Sequence, residues 1–288
     1  MPKYLDLFAG AGGLSEGFIR AGYEPVAHVE MDAAACYTLK TRAAYHWLKK
    51  QQNLVPYTRY LKGEISRTDF YDLIPEEILG SVLNYEISQE TLPSIFKDID
   101  ALLGNEKLDL IVGGPPCQAY SIAGRARSES KMVGDKRNYL YKLYAEFLKK
   151  YQPKYFVFEN VLGLLSARDE DGTLHFDNMR KLFKTCGYTT DFRPLNASDY
   201  GVLQNRKRII LIGYRGEKTD FYPEIPVVKS KHKVGELFCD LPPIKAGEGV
   251  ITPVETAHYT GKYLFSSKIK EYDKEAVTFH QARPNTAQ

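Results

Sequence analysis

The 288-residue sequence has no apolar run approaching the roughly 20 residues that a membrane-spanning helix requires. Its opening stretch, Met1 to Phe8, lacks both the apolar segment and the small-residue cleavage site of a secretory leader. The expectation is a soluble, cytoplasmic protein with no membrane partner. Cysteine is scarce: Cys36, Cys117, Cys186 and Cys239 stand far apart with no C-x-x-C pair, and the six histidines are scattered. That spacing argues against a zinc site and a disulfide framework, so the reading is free thiols in a reducing compartment and no metal. A large excess of one charge is also missing. The net +3 is too small to name a nucleic-acid partner, because a local basic patch matters more than the sum. No internal repeat or low-complexity tract is present.

What the sequence does have is short apolar runs bounded by turn chemistry. Tyr4 to Phe8, Leu108 to Val112, Tyr155 to Phe158 and Ile209 to Ile212 read as strands buried on both faces, as in a parallel sheet. Pro25 to Val29 is a further candidate strand. Helical patterns lie between them, at Leu14 to Ala21 and at Leu140 to Tyr151, the latter ended by Pro153. Strands alternating with helices predict an α/β fold, a doubly wound, mostly parallel sheet with helices on both faces. Ligands of such sheets bind beyond the carboxyl ends of the strands. Residues 1–215 are expected to form this domain, with a polar and aromatic insertion at about 45–97. Residues 216–288 turn Pro-rich and read as a segment leading out of the sheet.

The residues just after each strand are the unusual ones. The first strand runs into Ala9-Gly10-Ala11-Gly12-Gly13 and a helix, where glycines let the backbone turn sharply and approach a ligand at the positive end of the helix. The spacing departs from the G-x-G-x-x-G dinucleotide fingerprint, which favours a nucleotide-like ligand without a pyrophosphate. Glu30, at the end of the next strand, is placed to accept hydrogen bonds from ribose hydroxyls. Asp98, before Ile99, is a third candidate contact. Taken alone, this region serves equally as a structural turn with solvated acids.

A second strand ends in Gly113-Gly114-Pro115-Pro116-Cys117-Gln118-Ala119-Tyr120-Ser121. Two prolines stiffen the loop, and a cysteine there offers a thiolate nucleophile, whereas most lone cysteines are inert core residues. The following Arg125, Arg127, Lys131, Lys136 and Arg137 read as a phosphate-gripping lid or as a solvated loop. The third strand delivers Glu159 and Asn160. Glu159 is a proton donor or merely a helix cap. Gln204-Asn205-Arg206-Lys207-Arg208 precedes the fourth. Arg206 and Arg208, at alternate positions of an extended chain, point to one side, toward the site or along a basic strand edge.

In this order, the four segments closely resemble the C5-cytosine DNA methyltransferase family. Residues 6–13 look like its S-adenosylmethionine motif and 114–118 like its nucleophile loop. Residues 158–161 and 204–208 look like its cytosine-contacting motifs, and Leu241-Pro242-Pro243 is family-like as well. The resemblance implies the Rossmann-like fold of S-adenosylmethionine-dependent methyltransferases, with double-stranded DNA as partner and S-adenosylhomocysteine as product, as in bacterial restriction-modification. Carried over by position, it surrounds the cofactor with Phe8, Gly10, Gly12, Gly13 and Leu14. Glu30 then holds the ribose, Met31 packs on the adenine, Asp98 and Ile99 contact it, and Pro116 and Leu140 line the same pocket. Cys117 attacks carbon 6 of a flipped-out cytosine. Glu159 protonates ring nitrogen 3 and Arg208, with Arg206 beside it, holds the carbonyl oxygen. Gln118, Ser121, Asn160 and Gln204 touch the substrate or order the loops.

The pattern also departs from the family. An arginine-rich helix and a glycine-asparagine segment that normally come late are not found before Gln288, and His280-x-Ala282-Arg283 resembles an element leading into the target-recognition region. The expectation is that DNA sequence reading resides in a missing C-terminal region or a second chain, and that this chain alone is weakly active or inactive on DNA. Two rivals stand beside this reading. A transfer-RNA methyltransferase of the same fold usually carries Cys-Phe-Thr, absent here. A dead DNA-binding homologue has no need of Cys117, Glu159 and Arg208 together.

Overall fold

The structure, a computed structural model, describes residues 1–116, 139–168, 172–250, 254–255, 262–270 and 276–285. These fall into two compact units. The first, Met1–Ala43 with Glu76–Asn196 and Lys207–Ile225, is built on a seven-stranded sheet. Its strands are β1 (Lys3–Leu7), β2 (Glu24–Glu30), β3 (Val82–Asn84), β4 (Leu110–Gly113), β5 (Tyr155–Asn160), β6 (Tyr188–Asn196) and β7 (Lys207–Arg215), in the order β3-β2-β1-β4-β5-β7-β6. The first five pair in parallel, and β7 runs antiparallel between β5 and β6.

Both faces of the sheet are covered, as expected from its near-continuous apolar strands. Along β1 the side chains alternate. Tyr4 packs with Leu110 and Val112 against Leu14, Phe18 and Ile19 of α1 (Gly13–Arg20). Leu5 and Leu7 face the opposite core, with α6 (Leu92–Leu103), α7 (Leu140–Tyr151) and α8 (His175–Thr185). That core is dense in rings: Tyr144, Phe156, Phe158 and Phe183 meet edge-on or tilted at 4.9–6.1 Å between centroids. Gly213 of β7 lies opposite Phe156 in register, and a Cβ there would fall 1.9 Å from the ring. Only glycine admits the ring at this contact.

Three features differ from the sequence reading. The Ile209–Ile212 run is antiparallel rather than parallel, because β6 and β7 form a hairpin. The strands β3 and β6 were not legible: β3 is three residues long, and β6 is a half-buried edge strand that tolerates Pro194. Finally, Glu76 onward belongs to the sheet unit, so β3 and most of the turn into α6 lie within the stretch expected to be an insertion.

The second unit comprises Ala44–Pro75, Ala197–Arg206 and Pro226–Gln288. Its first part joins the end of α2 (Ala33–Lys50) to α3 (Val55–Leu61) and α4 (Arg67–Tyr71). Phe70, fully buried, is ringed by Tyr57 and Tyr60, and a Ser66–Asp69 capping box starts α4. Pro226 onward carries two two-stranded ladders and a buried ion pair, Lys270 Nζ to Asp240 Oδ2 at 2.7 Å.

Two stability tests follow from the sheet. Gly213→Ala forces a methyl into the Phe156 ring and should destabilise by about 1–3 kcal/mol, while Gly17→Ala in α1, with nothing within 4 Å, should be neutral or stabilising. Thermal unfolding of the two variants reads the contrast, and equal melting temperatures would refute the packing account. The second concerns Asp6, 1% exposed in mid-β1 with Oδ2 lacking any hydrogen-bond partner among the described residues. Burial pushes its carboxyl well above the ordinary 3.8, and the nearby charge of Glu30 adds to the rise. The folded state therefore binds a proton more tightly than the unfolded chain, and this contribution to stability is lost as pH rises from 3.8 through the raised value. Asp6→Asn should melt higher than the parent at pH 8, with the gain disappearing toward pH 4, in calorimetric scans across that range.

Candidate active site

The carboxyl ends of β1 and β2 are joined by one carboxylate. Glu30, the last residue of β2, accepts the Gly10 N–H on Oε2 and the Asp32 N–H on Oε1, both at 2.8 Å. Phe8, Gly10 and Gly12 all have positive φ, at 57°, 54° and 81°. A non-glycine residue in that region is uncommon and marks a backbone held by its surroundings. Ala9 N–H donates to Val29 O and Gly12 N–H to Ala9 O, closing the turn before Glu16 N–H reaches Gly12 O to start α1.

Space around the turn is asymmetric. A Cβ on Gly12 would meet Leu39 at 2.9 Å and the Arg42 side chain at 3.3 Å, whereas one on Gly10 or Gly13 would meet nothing within 4 Å. The back of the turn is packed and the front is open. Arg42 also pairs with Glu16 in the first turn of α1, and Arg20 takes the other oxygen of Glu16 at 2.8 Å. Beneath α1, buried Ser15 bonds to Tyr4 Oη and to His28 Nε2, the latter at 2.8 Å. Gly12 caps the helix without a side-chain acceptor, so the first N–H groups of α1 face the open side. This cradle fits a nucleoside cofactor carrying an amino-acid tail: Glu30 has lone pairs to spare for hydroxyls, and the helix start suits a carboxylate.

Of the other residues expected there, Met31 is 60% exposed beside Glu30, Leu14 half-buried in α1, Pro116 exposed and Leu140 half-buried at the start of α7. Asp98 and Ile99 are neighbours on one helix. Both lie inside α6: Ile99 is fully buried in the core, and Asp98 Oδ2 accepts the Tyr85 hydroxyl at 2.9 Å. The residues at the end of β3 lie beside Glu30 instead. Asn84 Nδ2 donates to the Glu30 and Met31 carbonyls at 3.0 and 2.9 Å, Tyr85 N–H donates to Glu30 O, and the acid following them, Glu86, is exposed. Sequence reading passed over Asn84, Tyr85, Glu86 and Arg42. The acid after a strand was the available signal for Glu86, but a three-residue strand left it without a frame.

The second half of the site lies at the end of β5. Glu159 Oε1 pairs with Arg208 Nε at 2.9 Å, the two side chains 24% and 26% exposed. Arg208 Nη1 also donates to Lys207 O, and its remaining N–H groups extend the donor fork. The chain leaving β4 runs directly against this pair, since a Cβ on Gly114 would lie 3.0 Å from Glu159 Oε2. Asn160 is held within the fold. It is 4% exposed, its Oδ1 accepts Val161 N–H at 2.8 Å, and its Nδ2 reaches the Pro115 carbonyl at 3.5 Å. Gln204 and Arg206 are exposed residues of the Ala197–Arg206 loop of the second unit, whereas Arg208 sits on β7. Cys117, Gln118, Ser121 and the basic run 125–137 lie outside the described residues. Among the described residues, no group of three His, Cys, Asp or Glu is arranged to hold a metal.

The sequence profile described as C-5 cytosine-specific DNA methylase matches residues 2–56 and 84–282, leaving 57–83, with α4 and the helix Glu76–Gly80, unmatched. The Bacillus paralicheniformis Type II methyltransferase M.Bpa9945I is 34% identical over 281 residues, covering 85% of this chain and 62% of that protein. The Neisseria gonorrhoeae Type II methyltransferase M.NgoPII is 30% identical over 290 residues, covering 96% and 70%. The chain thus spans less than two thirds of the length of the first of these relatives. A solved E. coli prophage protein described as a DNA modification methyltransferase shares the fold, with a TM-score of 0.58 at 22% identity over 92% of this chain and 63% of that one. By the extent of the profile match and the identity to these relatives, the chain belongs to the C-5 cytosine-specific DNA methylase family.

Proposed function

We propose that the protein methylates carbon 5 of cytosine in DNA, through a covalent adduct between Cys117 and a cytosine turned out of the duplex. The observation that carries this reading is the Glu159–Arg208 pair, set against the Gly114–Pro116 stem that leads straight to Cys117. Carbon 5 of cytosine is a weak nucleophile, and the three side chains supply what it lacks. Addition of the Cys117 thiolate to carbon 6 pushes electrons toward carbon 5, while Glu159 delivers a proton to nitrogen 3 and Arg208 binds the carbonyl oxygen. Once carbon 5 carries the methyl group, loss of its proton to water and return of the nitrogen 3 proton to Glu159 restore the ring as the thiolate leaves. In the free protein, Glu159 and Arg208 hold each other in place, and the base exchanges that contact for its own.

The cradle at the ends of β1 and β2 fits S-adenosylmethionine, which when bound supplies an electrophilic methyl group. Glu30 would hold its ribose, the front of the Gly10–Gly13 turn its amino-acid end, and Met31 and Glu86 the edge and face of its base. Reaching a base inside a duplex requires flipping, at a cost of a few kcal/mol. A role in DNA modification, beside the nucleoid, accords with the Type II enzymes that this chain resembles.

Incubation with S-adenosylmethionine and duplex DNA containing 5-fluorocytosine should trap an adduct that resists denaturation, with Cys117 as the modified residue by mass spectrometry. Cys117→Ser should give none, and Glu159→Gln should slow trapping by about 10²-fold or more. Methyl incorporation into transfer RNA and not DNA would overturn the substrate assignment. DNA binding without any adduct would instead mark a binding module.

A further inference from the structure

Behind the glycine turn stands a compact set of charges that the proposed reaction does not use. One face of α2 is turned toward it. Cys36 and Leu39 close a buried cluster with Ala9 and Val82, and Arg42, three residues on, continues that face. The Arg42 stem lies against the turn, since a Cβ on Gly12 would meet its Nε at 3.3 Å and its Cδ at 3.4 Å. Beyond the stem, Arg42 Nη2 donates to Glu16 Oε2, while Arg20 Nε donates to Glu16 Oε1 at 2.8 Å. One carboxylate in the first turn of α1 is therefore held between two guanidinium groups.

The two arginines are not equivalent. Arg20 is 78% exposed, so water screens most of its charge, whereas Arg42 is 37% and Glu16 22% exposed. The charges of Glu16 and Arg42 also reach the interior. Burial is the main cause that raises the pKa of the Tyr4 hydroxyl beneath α1, and among the charges around it Glu16 raises it and Arg42 lowers it. On its own, Glu16 would set a negative charge within one turn of the N–H groups that Gly12 leaves uncapped. Those groups are the part of the cradle suited to a carboxylate. Their positive end amounts to only about half an elementary charge, so a bare anion beside it would largely cancel it. A pair that only fastened α2 to α1 could do so anywhere along the two helices. This one falls at the turn whose far side is open.

We propose that Arg42 is a positioning residue for the carboxylate at the amino-acid end of the cofactor: it masks Glu16, so that the start of α1 meets that carboxylate with its full positive end. The proposal rests on the function proposed above and adds a residue to the same cradle. Arg42 lies behind the turn and acts across it, through the field at the helix start.

Calorimetric titration separates this role from simple bracing, using S-adenosylhomocysteine, which carries the amino-acid end, and 5′-methylthioadenosine, which lacks it. Arg42→Met keeps a long stem against Gly12 and removes the charge. It should weaken S-adenosylhomocysteine binding by about fivefold to thirtyfold and leave 5′-methylthioadenosine unchanged. Arg42→Lys should recover most of the loss. Glu16→Gln should act in the opposite direction, binding S-adenosylhomocysteine more tightly than the parent, and Arg42→Met/Glu16→Gln should return close to the parental affinity. Equal weakening of both ligands by Arg42→Met would reduce Arg42 to a brace of the turn and overturn the proposal. So would a double variant as weak as Arg42→Met alone. If the parent binds S-adenosylhomocysteine and Arg42→Met matches it, the cofactor reading stands and only this proposal is lost. A parent that fails to bind S-adenosylhomocysteine ends both.

Discussion

The carboxylate of Glu30, shared between the N–H groups of Gly10 and Asp32, is the contact around which the site is assembled. It ties together the ends of two parallel strands whose turns would otherwise diverge, one into α1 and the other into α2. A charge-assisted bond to each backbone fixes where the glycine turn opens, and the positive φ values at Phe8, Gly10 and Gly12 are the conformational cost of that opening. Arg42 and Leu39 press on the turn from behind, so the open face is the one left to a ligand.

A second constraint sets the other half. Because β7 runs antiparallel to β5, its beginning lies at the edge where β5 ends. Glu159, the penultimate residue of one strand, and Arg208, the second residue of the other, therefore face each other without help from any loop. Gly114 and Asn160 bring the Gly114–Pro116 segment to the same point, one by having no side chain and the other by reaching the Pro115 carbonyl with its amide.

Much of this was legible from residues alone, for physical reasons. Strands buried on both faces leave unbroken apolar runs, so β1, β4, β5 and β7 were visible, and with them the glycine turn, Glu30, Glu159 and Arg208 at their ends. The direction of β7 was not, since an antiparallel strand sandwiched in a parallel sheet is equally apolar. The edge strands β3 and β6 are short or half-exposed and carry no such run. With β3 unseen, the acid sought after Glu30 was Asp98, which lies on α6 next to Ile99 in the core. For Asn160, sequence shows that a polar residue is present, but not that its amide reaches a neighbouring carbonyl.

The Ala197–Arg206 connection joins two paired strands, leaving where β6 ends and returning where β7 begins. Lengthening a hairpin loop costs little entropy, since closure grows only logarithmically with length. New residues can therefore be spliced into this connection without disturbing the sheet or the glycine turn, which hangs on different strands.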